Sequence, residues 1–160
     1  MLSLVKLYLE RAESEMVLAE TIFKISSDFN LKENLDLNKN ESFYSAVISH
    51  CYYSIFYCAK AILLTKGIKT KVPNEHKKVF DAFKKIVDSG FVDKRLCEIY
   101  EEEVVKAESL LDIFFNEKKK RGHFTYRKLP QANKPFAKES LDNALMFFKN
   151  INAVVRSQNE

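Results

Sequence analysis

Apolar residues recur along this chain at intervals of three and four, the spacing of one face of a helix. Leu4, Tyr8, Ala12, Met16, Ala19 and Phe23 form the first stripe and predict a helix over about residues 3–26. Ser26-Ser27-Asp28-Phe29-Asn30 ends it, and the polar stretch around Asn38-Lys39-Asn40-Glu41 reads as a loop. From about 42 to 66 the pattern changes. Between Ser49 and Leu64 small, aromatic and aliphatic residues surround the whole circumference of a second helix. A helix apolar on nearly all sides must be covered by others, so this one is expected at the centre of the fold. Gly67 follows it where a left-handed residue commonly ends a helix.

Asn74 is placed to cap a third helix that turns Val79, Phe83 and Ile86 inward and ends near Gly90. A fourth helix is predicted over about 93–119, with Leu96, Tyr100, Val104, Ala107, Leu111 and Phe114 on one stripe. Pro130 and Pro135 bracket a connection, and Pro135 suits the first turn of a last helix buried through Leu141, Ala144, Leu145, Phe148 and Ile151. The predicted fold is all-α: an up-down antiparallel bundle of four long helices plus one short crossover helix.

Composition narrows this picture. A chain of 160 residues has the length of one domain, 1–160, and its 46% apolar content is enough for a single core. Three Gly and three Pro leave little for a glycine-punctuated α/β fold or a sandwich. Cys51, Cys58 and Cys97 are odd in number and lack metal-ligand spacing, so they read as buried small hydrophobes in a reducing compartment. Glu10, Arg11 and Glu13 interrupt any signal-like apolar segment at the N-terminus, and no apolar run is read as reaching the roughly 20 residues of a membrane span. A cytoplasmic location with no membrane association is expected.

The net charge of +4 is unevenly spread. Lys118, Lys119, Lys120, Arg121, Arg127, Lys128, Lys134 and Lys138 fall in a segment without an acidic residue. These cations either complement the dipole at a helix C-terminus or hold an anion. His50, four residues before Ser54, reads as a hydrogen-bonded core histidine. His76, at a helix start, reads as a capping or packing residue, with a ligand-facing role as the alternative. Tyr52, Tyr53 and Tyr57 need hydroxyl partners if buried. Tyr52 and Tyr57 are assigned to structure and Tyr53 is left open. A glycine-rich phosphate loop, a carboxylate pair at ligand spacing and a His-Glu-x-x-His motif are all missing from the sequence. No metal site and no cofactor are expected.

The run Ser49-His50-Cys51-Tyr52-Tyr53-Ser54-Ile55-Phe56-Tyr57-Cys58-Ala59-Lys60-Ala61-Ile62-Leu63, then Glu75-His76-Lys77-Lys78-Val79 and Arg121-Gly122-His123-Phe124-Thr125-Tyr126, resembles the HEPN family, the higher eukaryote and prokaryote nucleotide-binding domain. The likeness is to its short, uncharacterised prokaryotic branch and covers nearly the whole chain. Tyr52-Tyr53 resembles the signature of the family's second helix, His76 the histidine opening its third, and Arg121 with Tyr126 the pair closing its fourth. The resemblance implies a homodimeric bundle, often beside a nucleotidyltransferase-like partner in toxin-antitoxin pairs. It also implies metal-independent ribonuclease activity in members that set an arginine and a histidine four to six residues apart.

This chain departs from that spacing. His123 lies two residues after Arg121, too close to share a helical face unless Gly122 turns the chain, and Lys118 with His123 is the other pairing. Lysine does not replace arginine in bidentate phosphate binding. The reading preferred on the sequence is therefore a nucleotide- or nucleic-acid-binding module, acting as a homodimer or with a nucleotidyltransferase-like antitoxin. Tyr53, His76, Lys119, Lys120, Arg121, Tyr126, Arg127 and Lys128 would carry the binding. The alternative is a metal-independent endoribonuclease with His123 as base and Arg121 or Lys118 as the cation.

Overall fold

The computed structural model describes residues 2–111 and 129–158. The described residues form six helices and no strand: α1 (Leu2–Ser27), α2 (Phe29–Asn34), α3 (Tyr44–Thr65), α4 (Glu75–Asp88), α5 (Lys94–Leu111) and α6 (Leu129–Ser157). Four of these are the long helices of an up-down bundle, and α4 is the shorter crossover. The six-residue α2 was not foreseen. Asp28 ends α1 and also accepts a hydrogen bond from the Leu31 amide, starting a new helix one residue after the old one stops. A side chain with both propensities reads as a terminus in sequence.

The centre is α3, which packs on α1, α4, α5 and α6. Its buried side chains lie on every side: Val47, Cys51, Tyr52, Ile55, Cys58, Ala59 and Ile62 are fully enclosed. By length and composition α3 could cross a membrane, against the expectation that no run reaches that length, and 72% of its most apolar window is buried inside the bundle. Apolarity here is matched by protein contacts, as in any core helix. The three cysteines are free and buried as expected, and burial raises the pKa of all three thiols.

Small residues set the approach of α1 to α3. Ala12 and Ala19 have no exposed surface, and Ser54 of α3 donates a 2.8 Å hydrogen bond to the Ala12 carbonyl. At the other end of α1, the Tyr44 hydroxyl donates to the Ser26 carbonyl, so the two helices run antiparallel. The buried face of α1 starts at Val5 rather than Leu4, which is 37% exposed. Counting back from Ala12 by seven reaches Val5, two full turns along the same face.

Gly67 has φ 73° at the end of α3, the left-handed residue predicted there. Asn74 precedes α4 as predicted but has φ 56° and its side chain makes no capping bond. A capping side chain needs an extended backbone to reach the following amides. Asn74 contributes only its carbonyl, which accepts from the Lys78 amide. In α5, Leu96, Tyr100, Val104 and Ala107 are buried as the stripe predicted, while Phe114 lies outside the described residues. The last helix begins at Leu129, so Pro130 and Pro135 do not bracket a connection, and Pro135 lies inside α6 instead of in its first turn. A proline within a helix forfeits one backbone hydrogen bond and need not end it when tertiary packing continues beyond. Here Ala137, Leu141, Ala144, Phe147, Ile151 and Val155 bury the rest of α6.

Candidate functional site

Tyr52, Phe56 and Lys60 stand four residues apart on α3 and so share one ridge. The start of α4 crosses this ridge and sets Glu75 and His76 against it. The His76 ring stacks on Phe56 with centroids 4.2 Å apart and lies 5.8 Å from Tyr52 and 6.0 Å from Tyr53. Its Nδ1 is 2.9 Å from the Tyr52 hydroxyl, which is the partner that the buried phenol required. Burial holds the imidazole below its ordinary pKa; Glu75 opposes that shift and Lys60 adds to it. At neutral pH the ring is uncharged, offering one donor and one acceptor. Tyr52 is fully buried, and burial with the neighbouring Tyr100 and Tyr53 drives its pKa far upward, so it stays protonated. Tyr53 is half-buried, and burial, Glu15 and Tyr57 raise its pKa as well.

Two charged groups flank these rings. Lys60 Nζ is 2.7 Å from Glu75 Oε1, which also accepts from Thr70, and sits 4.6 Å from the centre of the Tyr8 ring. Burial lowers the Lys60 pKa, but the Glu75 and Tyr8 contacts outweigh it and the net shift is upward. His50 does not pair with Ser54, whose hydroxyl is committed to Ala12. It is half-buried and holds Glu15 of α1 through a 2.6 Å contact from Nδ1. Tyr57 stacks on Tyr8 and carries the Arg11 guanidinium 5.1 Å above its ring, in keeping with a structural role.

A third group joins α5 to α6. Lys106 Nζ contacts Glu103 and Glu139, each at 3.1 Å, with Ser140 Oγ at 3.3 Å and the Phe136 carbonyl at 3.5 Å. Glu103 is fully buried; its Oε1 also accepts from Asn143, and its Oε2 has no hydrogen-bond partner among the described residues. These bonds bring the C-terminal half of α5 beside the N-terminal half of α6. Lys118, Lys119, Lys120, Arg121, His123, Tyr126, Arg127 and Lys128 lie outside the described residues. Of the candidates read from the sequence, Tyr53 and His76 are the two brought together.

Residues 19–149 match the HEPN domain family. The chain belongs to the HEPN domain family. Over 86 residues it is also 37% identical to a Methanocaldococcus jannaschii protein named "Putative toxin MJ0142". That stretch is 53% of this chain and 54% of the other, so the chain spans about half the length of the relative that it matches. Within this HEPN domain, sequence reasoning missed the Lys60–Glu75 pair and the Glu103–Lys106–Asn143 group. Each left a faint mark: Lys60 is the lone charge in an apolar run, and Glu103 falls three residues after Tyr100 on the buried stripe.

Proposed function

We propose that this HEPN protein is a toxin-type, metal-independent endoribonuclease. The observation that carries the reading is membership of the HEPN family joined to 37% identity with a protein named as a toxin, which favours cleavage over passive binding. The chemistry needs a base near neutral pKa and a fixed cation. His123 would take the proton from a ribose 2′-hydroxyl as that oxygen attacks the adjacent phosphorus. Arg121, with Lys118 as the second cation, would stabilise the charge that develops on the phosphorane. The bond to the 5′-oxygen then breaks, leaving a cyclic phosphate, and the departing oxygen takes up a proton. Tyr53 and His76 would meet a base beside the strand, and Lys119, Lys120, Tyr126, Arg127 and Lys128 would line its path. His76 is suited to stacking and neutral hydrogen bonding rather than to proton abstraction, because burial weakens its basicity.

The active form would be a cytoplasmic homodimer in which both basic segments border one cleft, restrained by a nucleotidyltransferase-like antitoxin. The test is cleavage of labelled RNAs by the purified protein in EDTA, beside His123→Ala, Arg121→Ala and Lys118→Gln. Cleavage by the parent, abolished by the first two substitutions and weakened by the third, is the expected result. A parent that binds RNA without cutting it would return the protein to the class of binding modules.

A further inference from the structure

We propose that the α3–α4 loop and the first turn of α4 hold the phosphate backbone of single-stranded RNA through Lys69, Lys71 and Lys78. The inference rests on RNA being the substrate, as argued above, and adds Lys69, Lys71 and Lys78 to the cations named there.

Residues 66–78 carry five lysines, Lys66, Lys69, Lys71, Lys77 and Lys78, against one carboxylate, Glu75. That carboxylate is already engaged by Lys60 and Thr70. Lys77 is paired with Asp81 at 2.7 Å, and Lys66 rests 3.3 Å from the centre of the Phe91 ring. Lys69, Lys71 and Lys78 are all exposed, and none pairs with a carboxylate among the described residues. Lys78 Nζ donates to the Lys71 carbonyl at 3.1 Å, which ties the loop to the helix and sets the Lys78 ammonium beside the loop backbone. Left-handed residues at Gly67 and Asn74 turn the chain at both ends of the loop. Three exposed lysines on one loop and the helix turn that it joins, none paired with a carboxylate among the described residues, favour a polyanion.

The loop also borders a groove of about 420 Å³ whose exposed apolar lining is Leu4, Ile68 and Val72, with Lys60 lying over the Tyr8 ring beside them. Exposed apolar side chains beside lysines suit an unpaired strand, whose bases rest on the apolar lining while its phosphates meet the lysines. Glu75 at the groove edge leads directly to His76 and the Tyr53 ring. A strand held by the loop would thus run toward the aromatic residues of the candidate site.

Binding of a fluorescein-labelled oligouridylate, followed by anisotropy across a salt series, tests this directly. The variants are Lys69→Gln/Lys71→Gln, the same pair with Lys78→Gln, and a control with Lys24→Gln, Lys39→Gln and Lys149→Gln that removes equal charge elsewhere. The triple loop variant is expected to bind more weakly, with a slope of log affinity against log salt shallower by about 2, from roughly 0.7 per lost phosphate contact. The double variant should fall between it and the parent, and the control should keep the parent's slope. Equal effects from loop and control variants would overturn the inference. If the parent cleaves RNA in EDTA and the loop variant binds like the parent, the loop assignment fails while the nuclease reading stands. A parent that neither binds nor cuts RNA, or that instead binds phosphatidylserine vesicles through this loop, overturns both.

Discussion

Polar groups are buried in two different ways in this bundle. At the α3–α4 contact, a neutral imidazole and a neutral phenol share one hydrogen bond among stacked rings. At the α5–α6 contact, the fully buried Glu103 carboxylate depends on Lys106 and Asn143. Desolvating neutral groups costs little once they are paired, whereas a buried carboxylate remains stable only while its counter-charge is in place. The first contact can therefore tolerate rearrangement around a ligand. The second acts as a fixed clamp between α5 and α6.

Removing the clamp's cation is the strongest way to break this comparison. Lys106→Met should destabilise the protein by about 3–5 kcal/mol in urea unfolding, because it leaves Glu103 buried without its ion pair. Adding Glu103→Gln should restore part of that loss. A Lys106→Met cost below about 1 kcal/mol would show that water reaches the carboxylate and that the clamp is weak. Tyr52→Phe should cost less, about 1–2 kcal/mol, since only neutral hydrogen bonding, to His76 and Tyr100, is lost and the ring packing stays.

The same neutral pair sharpens the comparison through pH. Because burial lowers the folded-state pKa of His76, the unfolded chain takes up the proton first as pH falls. The stability contributed by the neutral ring is complete above the unfolded value, about 6.5, and is lost as pH falls toward and through the folded value. Urea midpoints should drop between neutral and mildly acidic pH, and His76→Gln should remove that component of the slope. An unchanged slope in the variant would place the proton uptake elsewhere. The smallest effect is expected at the exposed Lys77–Asp81 pair on α4, where Asp81→Asn should change stability by no more than about 0.5 kcal/mol.

The four long helices, the crossover and the central place of α3 were legible because hydrophobic periodicity is a local signal and α3 is apolar on all sides. The same signal missed α2, since Asp28 both ends one helix and starts the next, and it placed the start of α6 too late by giving Pro135 a boundary role. Tyr53 and His76 could be singled out through the family resemblance, but their meeting could not be read from periodicity. They lie 23 residues apart on different helices.

The sequence by itself determined the helical class, the burial of the cysteines, the left-handed turn at Gly67 and the family, all of which follow from residue type and spacing along one strand of chain. Only the tertiary structure decided that Tyr52 bonds His76, that His50 holds Glu15, that Glu75 is taken up by Lys60, and that Lys69 and Lys71 pair with no carboxylate among the described residues. Hydrogen bonding and ion pairing depend on distances between helices, and those distances are set by packing that no single segment encodes.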